Sequence, residues 1–208
     1  MIFRRGQAWS LYARRYAWLP VQPISLRPTR EFVIRRVTED WSGARRVLDM
    51  GCGVGQLALA LVERFPEMVV TAVDPSPEMI AVARRDRPHP RIDYREGRVE
   101  DVPGAPPFDL VVTTHAFPYV EDPVDFLRRL RAVVRPGGGI LLAQACTENR
   151  WDALLLRAVK VTTGPANYAP SARVRGWMQQ AGWRPVAIRP IPTLPGMASL
   201  RLIEAVRP

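Results

Sequence analysis

The stretch Val47-Leu48-Asp49-Met50-Gly51-Cys52-Gly53-Val54-Gly55 decides the fold. An apolar run ends in an acid, glycine then recurs at alternate positions, and apolar residues at helical spacing follow from Gln56 to Arg64. This pattern predicts a strand, a glycine loop and a helix. Glycine lacks a Cβ, so a ligand can lie against the loop backbone, and a helix N-terminus offers it free N–H groups. A pyrophosphate-binding loop wants G-x-G-x-x-G, whose last glycine lets the helix pack closely. Here the residue three after Gly53 is Gln56, so that fingerprint fails. The pattern is D-x-G-x-G-x-G, and an acid at Asp49 repels a pyrophosphate but suits a ligand carrying a cationic amine.

Working outward, Val69–Asp74 predicts a second strand ending in an acid, and Pro77 to Arg85 a helix with proline in its first turn. Ile92 to Arg95 alternates like a third strand, and Phe108 to Thr114 is apolar enough to be a strand buried on both faces. Val124 to Val134 predicts a helix that stops at Arg135-Pro136-Gly137-Gly138-Gly139, with a fifth strand from Ile140 to Ala145. Regular alternation of strand and helix implies an α/β fold with a parallel sheet covered on both faces. In the N-terminal flank Trp9, Tyr12, Tyr16 and Leu19 form a helical stripe; Pro20, Pro23 and Pro28 then break the chain before a helix from about Thr29 to Trp41. In the C-terminal flank Trp151 to Val161 reads as helix, Ser171 as the cap of another, and Pro185–Ile191 and Leu200–Arg207 as closing strands.

Charge is unevenly placed over the 208 residues. The formal net charge is +10, split as +7 over residues 1–46, −4 over 47–149 and +7 over 150–208. All six tryptophans lie in the flanks, and Lys160 is the only lysine among 30 basic residues. So uniform a use of arginine weakens the inference from basic charge to a nucleic-acid partner. Cys52 and Cys146 are too few for a disulfide framework or a four-cysteine zinc site. No run approaches about 20 apolar residues, the length a membrane span needs, and the start MIFRRGQAW lacks the apolar run of a secretory leader. A soluble, cytoplasmic protein is expected.

From about residue 45 to 146 the sequence resembles the class I S-adenosylmethionine-dependent methyltransferases, especially the small type 11 group. Asp49, Gly51, Gly53 and Gly55 match the first motif, with Cys52 inside it. Asp74, in Val73-Asp74-Pro75-Ser76, matches the acid at the end of the second strand. Phe108-Asp109-Leu110-Val111-Val112 and Arg135-Pro136-Gly137-Gly138-Gly139 match the fourth strand and the turn into the fifth. The resemblance implies a Rossmann-like, seven-stranded, mostly parallel sheet with helices on both faces and the last strand antiparallel. It implies one domain over 1–208, made of an N-terminal helical cap (1–44), a cofactor-binding core (45–146) and acceptor-side helices with a closing strand pair (147–208). The cofactor is S-adenosyl-L-methionine: Asp49 and the glycines at its methionyl part, Asp74 on the ribose hydroxyls, Pro75 and Met79 near the adenine, Val99 and Glu100 on the adenine edge, and Thr114 beside the site. One departure stands out. The family's G-D-A-E-D-L-P reads Gly97-Arg98-Val99-Glu100-Asp101-Val102-Pro103 here, with Arg98 in place of an acid.

Each candidate also has a plainer structural reading. The glycines can form a tight turn, Asp74 can cap a helix, Glu100 and Asp101 can lie in a solvated loop, and His115 can be a positioning residue. As a functional group, His115 is the candidate general base. Tyr16, Phe117, Tyr119, Trp151 and Tyr168 are candidates for the acceptor pocket by position alone. No metal site is expected. Methyl transfer to a small molecule, anionic or aromatic, by in-line displacement is the leading expectation. The alternatives are a membrane-associated acceptor, approached through Arg4, Arg5, Arg14 and Arg15 beside Trp9 and Trp18; a nucleic acid, against which the N-P-P-Y tetrapeptide is only half matched by Ala116-Phe117-Pro118-Tyr119; a non-catalytic cofactor binder; and a nicotinamide dehydrogenase.

Overall fold

A computed structural model describes residues 13, 21–102 and 106–208. Five strands pair in parallel: β1 (Arg46–Met50), β2 (Val69–Asp74), β3 (Ile92–Glu96), β4 (Phe108–Thr114) and β5 (Val134–Ala145). Strands β6 (Arg184–Ile191) and β7 (Leu200–Val206) complete a seven-stranded sheet in the order β3-β2-β1-β4-β5-β7-β6, with β7 antiparallel to both neighbours. This is the expected mostly parallel sheet with its last strand reversed.

Period-two alternation sorts β1 between two cores. Val47 joins Leu110, Val112 and Leu141 on the face covered by α1 (Arg27–Asp40), α2 (Gln56–Arg64), α3 (Pro77–Asp86) and α5 (Arg150–Thr163). Leu48 and Met50 join Val111, Ile140 and Leu142 on the face covered by α4 (Pro123–Val133) and α6 (Ser171–Gln180). Asp49, between Leu48 and Met50, therefore points to the side of α2. Arginines secure the frame. Arg36 of α1 is buried and reaches Glu204 of β7 at 3.0 Å, and it also pairs with Glu39 and Asp40. Arg91 donates to the carbonyls of Val62, Phe65 and Met68, closing the C-terminal end of α2.

Three local expectations are corrected. The helix before β1 does not wait for Thr29: a π-helical turn, Gln22–Leu26, runs directly into α1. Pro23 lies in the first turn, where its missing N–H has no partner to lose, and Pro28 follows the wider turn that makes room for its ring. Ser171 does not cap α6; it is the first helical residue, and its N–H donates to the Glu148 carboxylate at 3.0 Å. The Arg135–Gly139 turn belongs to β5, where the register slips between Phe108 and Leu110 of its neighbour. The stripe Trp9, Tyr12, Tyr16 and Leu19, and the cluster of Arg4, Arg5, Arg14 and Arg15 with Trp18, lie outside the described residues. Among the described residues no helix is long and apolar enough to cross a membrane.

Candidate functional site

After β1 the chain moves out to β2 and β3; after β4 it moves the other way, to β5. A crevice must open where the two directions part, at the C-terminal ends of β1 and β4. The glycine loop forms one wall. The N–H groups of Gly51 and Cys52 both donate to the Val73 carbonyl, at 2.7 and 3.1 Å. Gly51 is at φ +81°, and a Cβ there would stand 2.2 Å from the Ala116 Cβ, so the loop packs directly on the turn after β4. Gly53 is at φ +53° and differs: no atom lies within 4 Å of where its Cβ would be. Its open side is the surface against which a ligand can lie. Gly55 precedes α2 and covers the Tyr94 ring.

Two acids lie beneath and beside this loop. Asp49 is completely buried, and neither carboxylate oxygen has a hydrogen-bond partner. Burial pushes its carboxyl up to about 7; the charge of Asp74 adds to the rise, and the Ala58 N–H opposes it without reaching hydrogen-bonding geometry. Asp74 is held at both oxygens, accepting from Ser76 N–H and Gly53 N–H at 2.9 Å each. Burial raises its pKa against the pull of those two donors. Each oxygen keeps a further acceptor site. Ser76, rather than Asp74, caps α3, accepting from the Met79 N–H at 3.2 Å. The Cys52 thiol is buried and its pKa pushed well up, so it stays protonated.

Thr114 and His115 line the crevice with the loop, and Leu26, Arg30 and Gln56 complete its lining. His115 is at φ +57°, the single non-glycine residue in the left-handed region among the described residues. That conformation costs about 1–2 kcal/mol and persists only where its surroundings fix it. Here its N–H donates to Ala143 O at 2.9 Å, and its Nε2 lies 2.9 Å from Thr29 Oγ1 and 3.4 Å from Ser25 Oγ. Burial lowers the imidazole pKa to about 4, so it is neutral at physiological pH.

The other candidates separate. Pro75 is exposed beside Asp74, while Met79 packs with Ala13, Val54 and Val82. Val99 is buried against Met50 and Val73. Glu100 turns outward to Arg129 at 3.7 Å, and Asp101 accepts from the Arg98 N–H at 2.8 Å, leaving the Arg98 side chain exposed. Phe117 does not line the crevice; it is a core residue, packed against Phe126 and Trp177 because the turn after β4 folds under the loop. Trp151 faces outward, its Nε1 donating to Gly196 O at 2.9 Å. Tyr119 and Tyr168 meet at their hydroxyls, 3.4 Å apart, and Tyr16 lies outside the described residues.

A methyltransferase-domain family matches residues 47–138. The ubiquinone biosynthesis O-methyltransferase of Xanthomonas euvesicatoria is 32% identical over 180 residues, covering 78% of this chain and 72% of that one. The chain belongs to the class I S-adenosylmethionine-dependent methyltransferases. A malonyl-[acyl-carrier protein] O-methyltransferase of Halalkalibacterium halodurans is 31% identical over 104 residues, 48% of this chain but only 38% of that protein's length. The magnesium protoporphyrin IX methyltransferase of Synechocystis, solved with bound SAH, shares the fold at a TM-score of 0.76 and 18% identity, covering 98% of this chain and 97% of that one. A structure of a Haloferax volcanii methyltransferase complex with the activator Trm112 aligns at 0.80 and 18% identity, covering 96% and 97%.

The residues of this methyltransferase fit its cofactor. An orphaned carboxylate lies beneath the loop, Gly53 presents an open face, and Asp74 retains acceptor capacity at the loop's edge. Sequence reasoning missed Arg30, Gln56, Thr29 and Ser25. Their signal was the helix predicted from Thr29, which nothing in the linear pattern placed over the loop. Arg30 donates to Gln56 Oε1 at 3.3 Å, which ties α1 to the start of α2.

Gly51→Ala and Gly53→Ala are expected to fail differently. The first forces a clash with Ala116 and lowers the melting temperature; the second folds, at a cost of about 1 kcal/mol, and loses affinity for S-adenosylhomocysteine by calorimetry. Asp49 makes a pH prediction. Its folded pKa is raised from 3.8 to about 7, so the folded state binds the extra proton, and the stability it contributes is present below about pH 4 and lost as pH rises through 7. Asp49→Asn should therefore raise the melting temperature of the ligand-free protein at pH 8 and leave it nearly unchanged at pH 4. A cation bound above the loop favours the ionised carboxylate, so binding S-adenosyl-L-methionine at pH 7 should release a fraction of a proton. Calorimetry in buffers of different ionisation enthalpy reads that release, which Asp49→Asn should abolish.

Proposed function

We propose that this chain methylates an ionisable oxygen of a small-molecule acceptor, anionic or aromatic, with S-adenosyl-L-methionine as donor. The observation that carries the proposal is a neutral His115 imidazole held in a strained, fixed backbone position across the crevice from the Gly53 face. Two curated relatives named as O-methyltransferases support oxygen as the acceptor atom.

The cofactor supplies an electrophilic methyl group on a sulfonium. Asp74 would accept from the ribose hydroxyls while Gly53 N–H keeps its carboxylate oriented. Asp49 would place negative charge beneath the cationic end, and the Arg30 guanidinium, which lines the crevice with Gly53, would pair with the methionyl carboxylate. Met79 and the Val99 backbone would form the adenine side. With a phenolic acceptor His115 would take the hydroxyl proton as the new oxygen–methyl bond forms, whereas a carboxylate acceptor arrives already ionised; the sulfur leaves neutral and needs no acid. Fixing the two reactants in line supplies most of the acceleration. In this scheme residues 45–146, with Arg30 from α1, would hold the cofactor, and 147–208, with Tyr119, would shape the acceptor side. Two unpaired buried cysteines accord with a cytoplasmic site of action. A second reading, an acceptor delivered from a membrane surface, is favoured by the exposed apolar face of α5.

Methyl-labelled cofactor incubated with a panel of phenols and carboxylic acids tests the function; cofactor binding without transfer to any oxygen acceptor would sink it. His115→Asn, which tolerates the left-handed backbone, should lower kcat by about 100-fold or more with KM little changed. With S-adenosyl-L-methionine saturating, the wild-type kcat/KM for the acceptor should be level above about pH 5 and fall below it, because protonated His115 accepts no proton. Arg30→Met should weaken S-adenosylhomocysteine binding by about tenfold and leave 5′-methylthioadenosine, which lacks the amino-acid tail, unchanged.

A further inference from the structure

Helix α5 carries an apolar stripe on its outer face. Trp151, Leu154, Ala158 and Val161 recur at spacings of three, four and three, so they share one side of the helix. Its inner side is set by Asp152 and Leu156, both buried. The stripe is not core: Trp151, Leu154 and Val161 are 53, 60 and 84% exposed. It extends beyond the helix. The hydrogen bond from Trp151 Nε1 to Gly196 O fixes the indole against the turn before β7, whose Leu194 and Met197 are also exposed.

The charges beside this stripe have one sign. Arg150 and Arg157 are exposed on α5 next to it, and Lys160, also exposed, turns away toward the Tyr168 ring at 5.9 Å. The helix's single acid, Asp152, is turned inward, with both oxygens accepting backbone N–H groups, from Glu148 and from Ser199, at 2.9 Å each. Glu148, just before the helix, is drawn to Arg201 and to the Ser171 N–H. The turn from Pro192 to Met197 carries no charge. A face of leucine, valine and tryptophan whose bordering charges on α5, among the described residues, are arginines is complementary to an anionic bilayer surface, whose headgroups meet the cations while the apolar side chains enter the acyl boundary.

We infer that α5 and the 192–197 turn dock this protein on anionic lipid. This deepens the membrane reading above by assigning it a surface, and it does not depend on which acceptor is methylated. The first residue of the stripe follows the C-terminal end of β5 by only a few residues, and β4 beside it ends in the crevice wall, so docking through α5 brings that edge of the sheet toward the lipid.

Co-sedimentation of the full chain with vesicles decides the matter, comparing phosphatidylglycerol–phosphatidylcholine mixtures with pure phosphatidylcholine. Wild type should partition onto the anionic vesicles and be released by salt. Leu154→Asp with Val161→Asp changes only exposed positions and should lower partitioning by about tenfold or more. Arg150→Gln and Arg157→Gln should each lower it by about fivefold. S-adenosylhomocysteine affinity, measured on the same variants, should be unchanged, which keeps a failure of docking distinct from a failure of the cofactor site. Absence of wild-type binding would overturn the inference, as would binding that the paired aspartates leave intact. A concentration-dependent dimer dissolved by those aspartates, with no lipid binding, would instead make the face a self-interface and overturn it equally.

Discussion

A buried carboxylate without a partner governs this structure. Asp49 lies on an inner strand, paired across to Ala72 on one side and Val112 on the other, where neither neighbour offers it a donor. Leaving a charge unpaired in such a place costs several kcal/mol. A fold optimised for stability alone would carry an apolar residue there. The Asp49 carboxyl responds by titrating near neutrality, and the loop above it takes its shape from glycines whose N–H groups are directed elsewhere, to Val73 O and Asp74. The crevice therefore has negative potential beneath an open backbone face, which is the complement of a cationic ligand. Local instability and ligand recognition come from the same atoms.

The strand-and-loop core was legible because its signals are local. An apolar run ending in Asp49 or Asp74 can be read without knowing its neighbours, and sheet order follows from alternation. The crevice's second wall was only half legible. His115 stood out by following β4, but its left-handed backbone and its contact with Thr29 depend on a helix nearly ninety positions away in sequence. Arg30 carried no motif at all. Phe117 was misjudged for a related reason: position after β4 does not reveal that the turn tucks inward against Trp177. Pro23 and Pro28 read as helix breaks, yet a widened turn between them absorbs both. In each case the deciding contact is tertiary.

Part of the arginine content becomes intelligible once the partners are seen. Arg91 closes the end of α2, Arg207 donates to the carbonyls of Arg131 and Ala132 at the end of α4, and Arg87 reaches Val54 O behind the glycine loop. Arg84 donates to Tyr94 O, and Arg36 joins α1 to β7. A guanidinium presents several donors in a fixed plane, so one side chain can satisfy two or three carbonyls that a helix end leaves open. These arginines are thus structural, with their donors turned to the protein's own backbone and carboxylates, and they make no case for a nucleic-acid partner.

Subtracting those structural arginines sharpens what remains. The tryptophans divide in the same way: Trp41, Trp177 and Trp183 pack against the core, and Trp183 donates to Leu127 O. Trp151 alone among the described tryptophans is displayed, and the cations nearest to it in sequence, Arg150 and Arg157, are exposed as well. Exposed leucine and valine on one helical face run against the burial that every other described helix of the sheet achieves. A protein that buries Trp183 to 3% while leaving Leu154 at 60% has not run short of interior; the exposed face is the part of the surface whose composition folding does not explain.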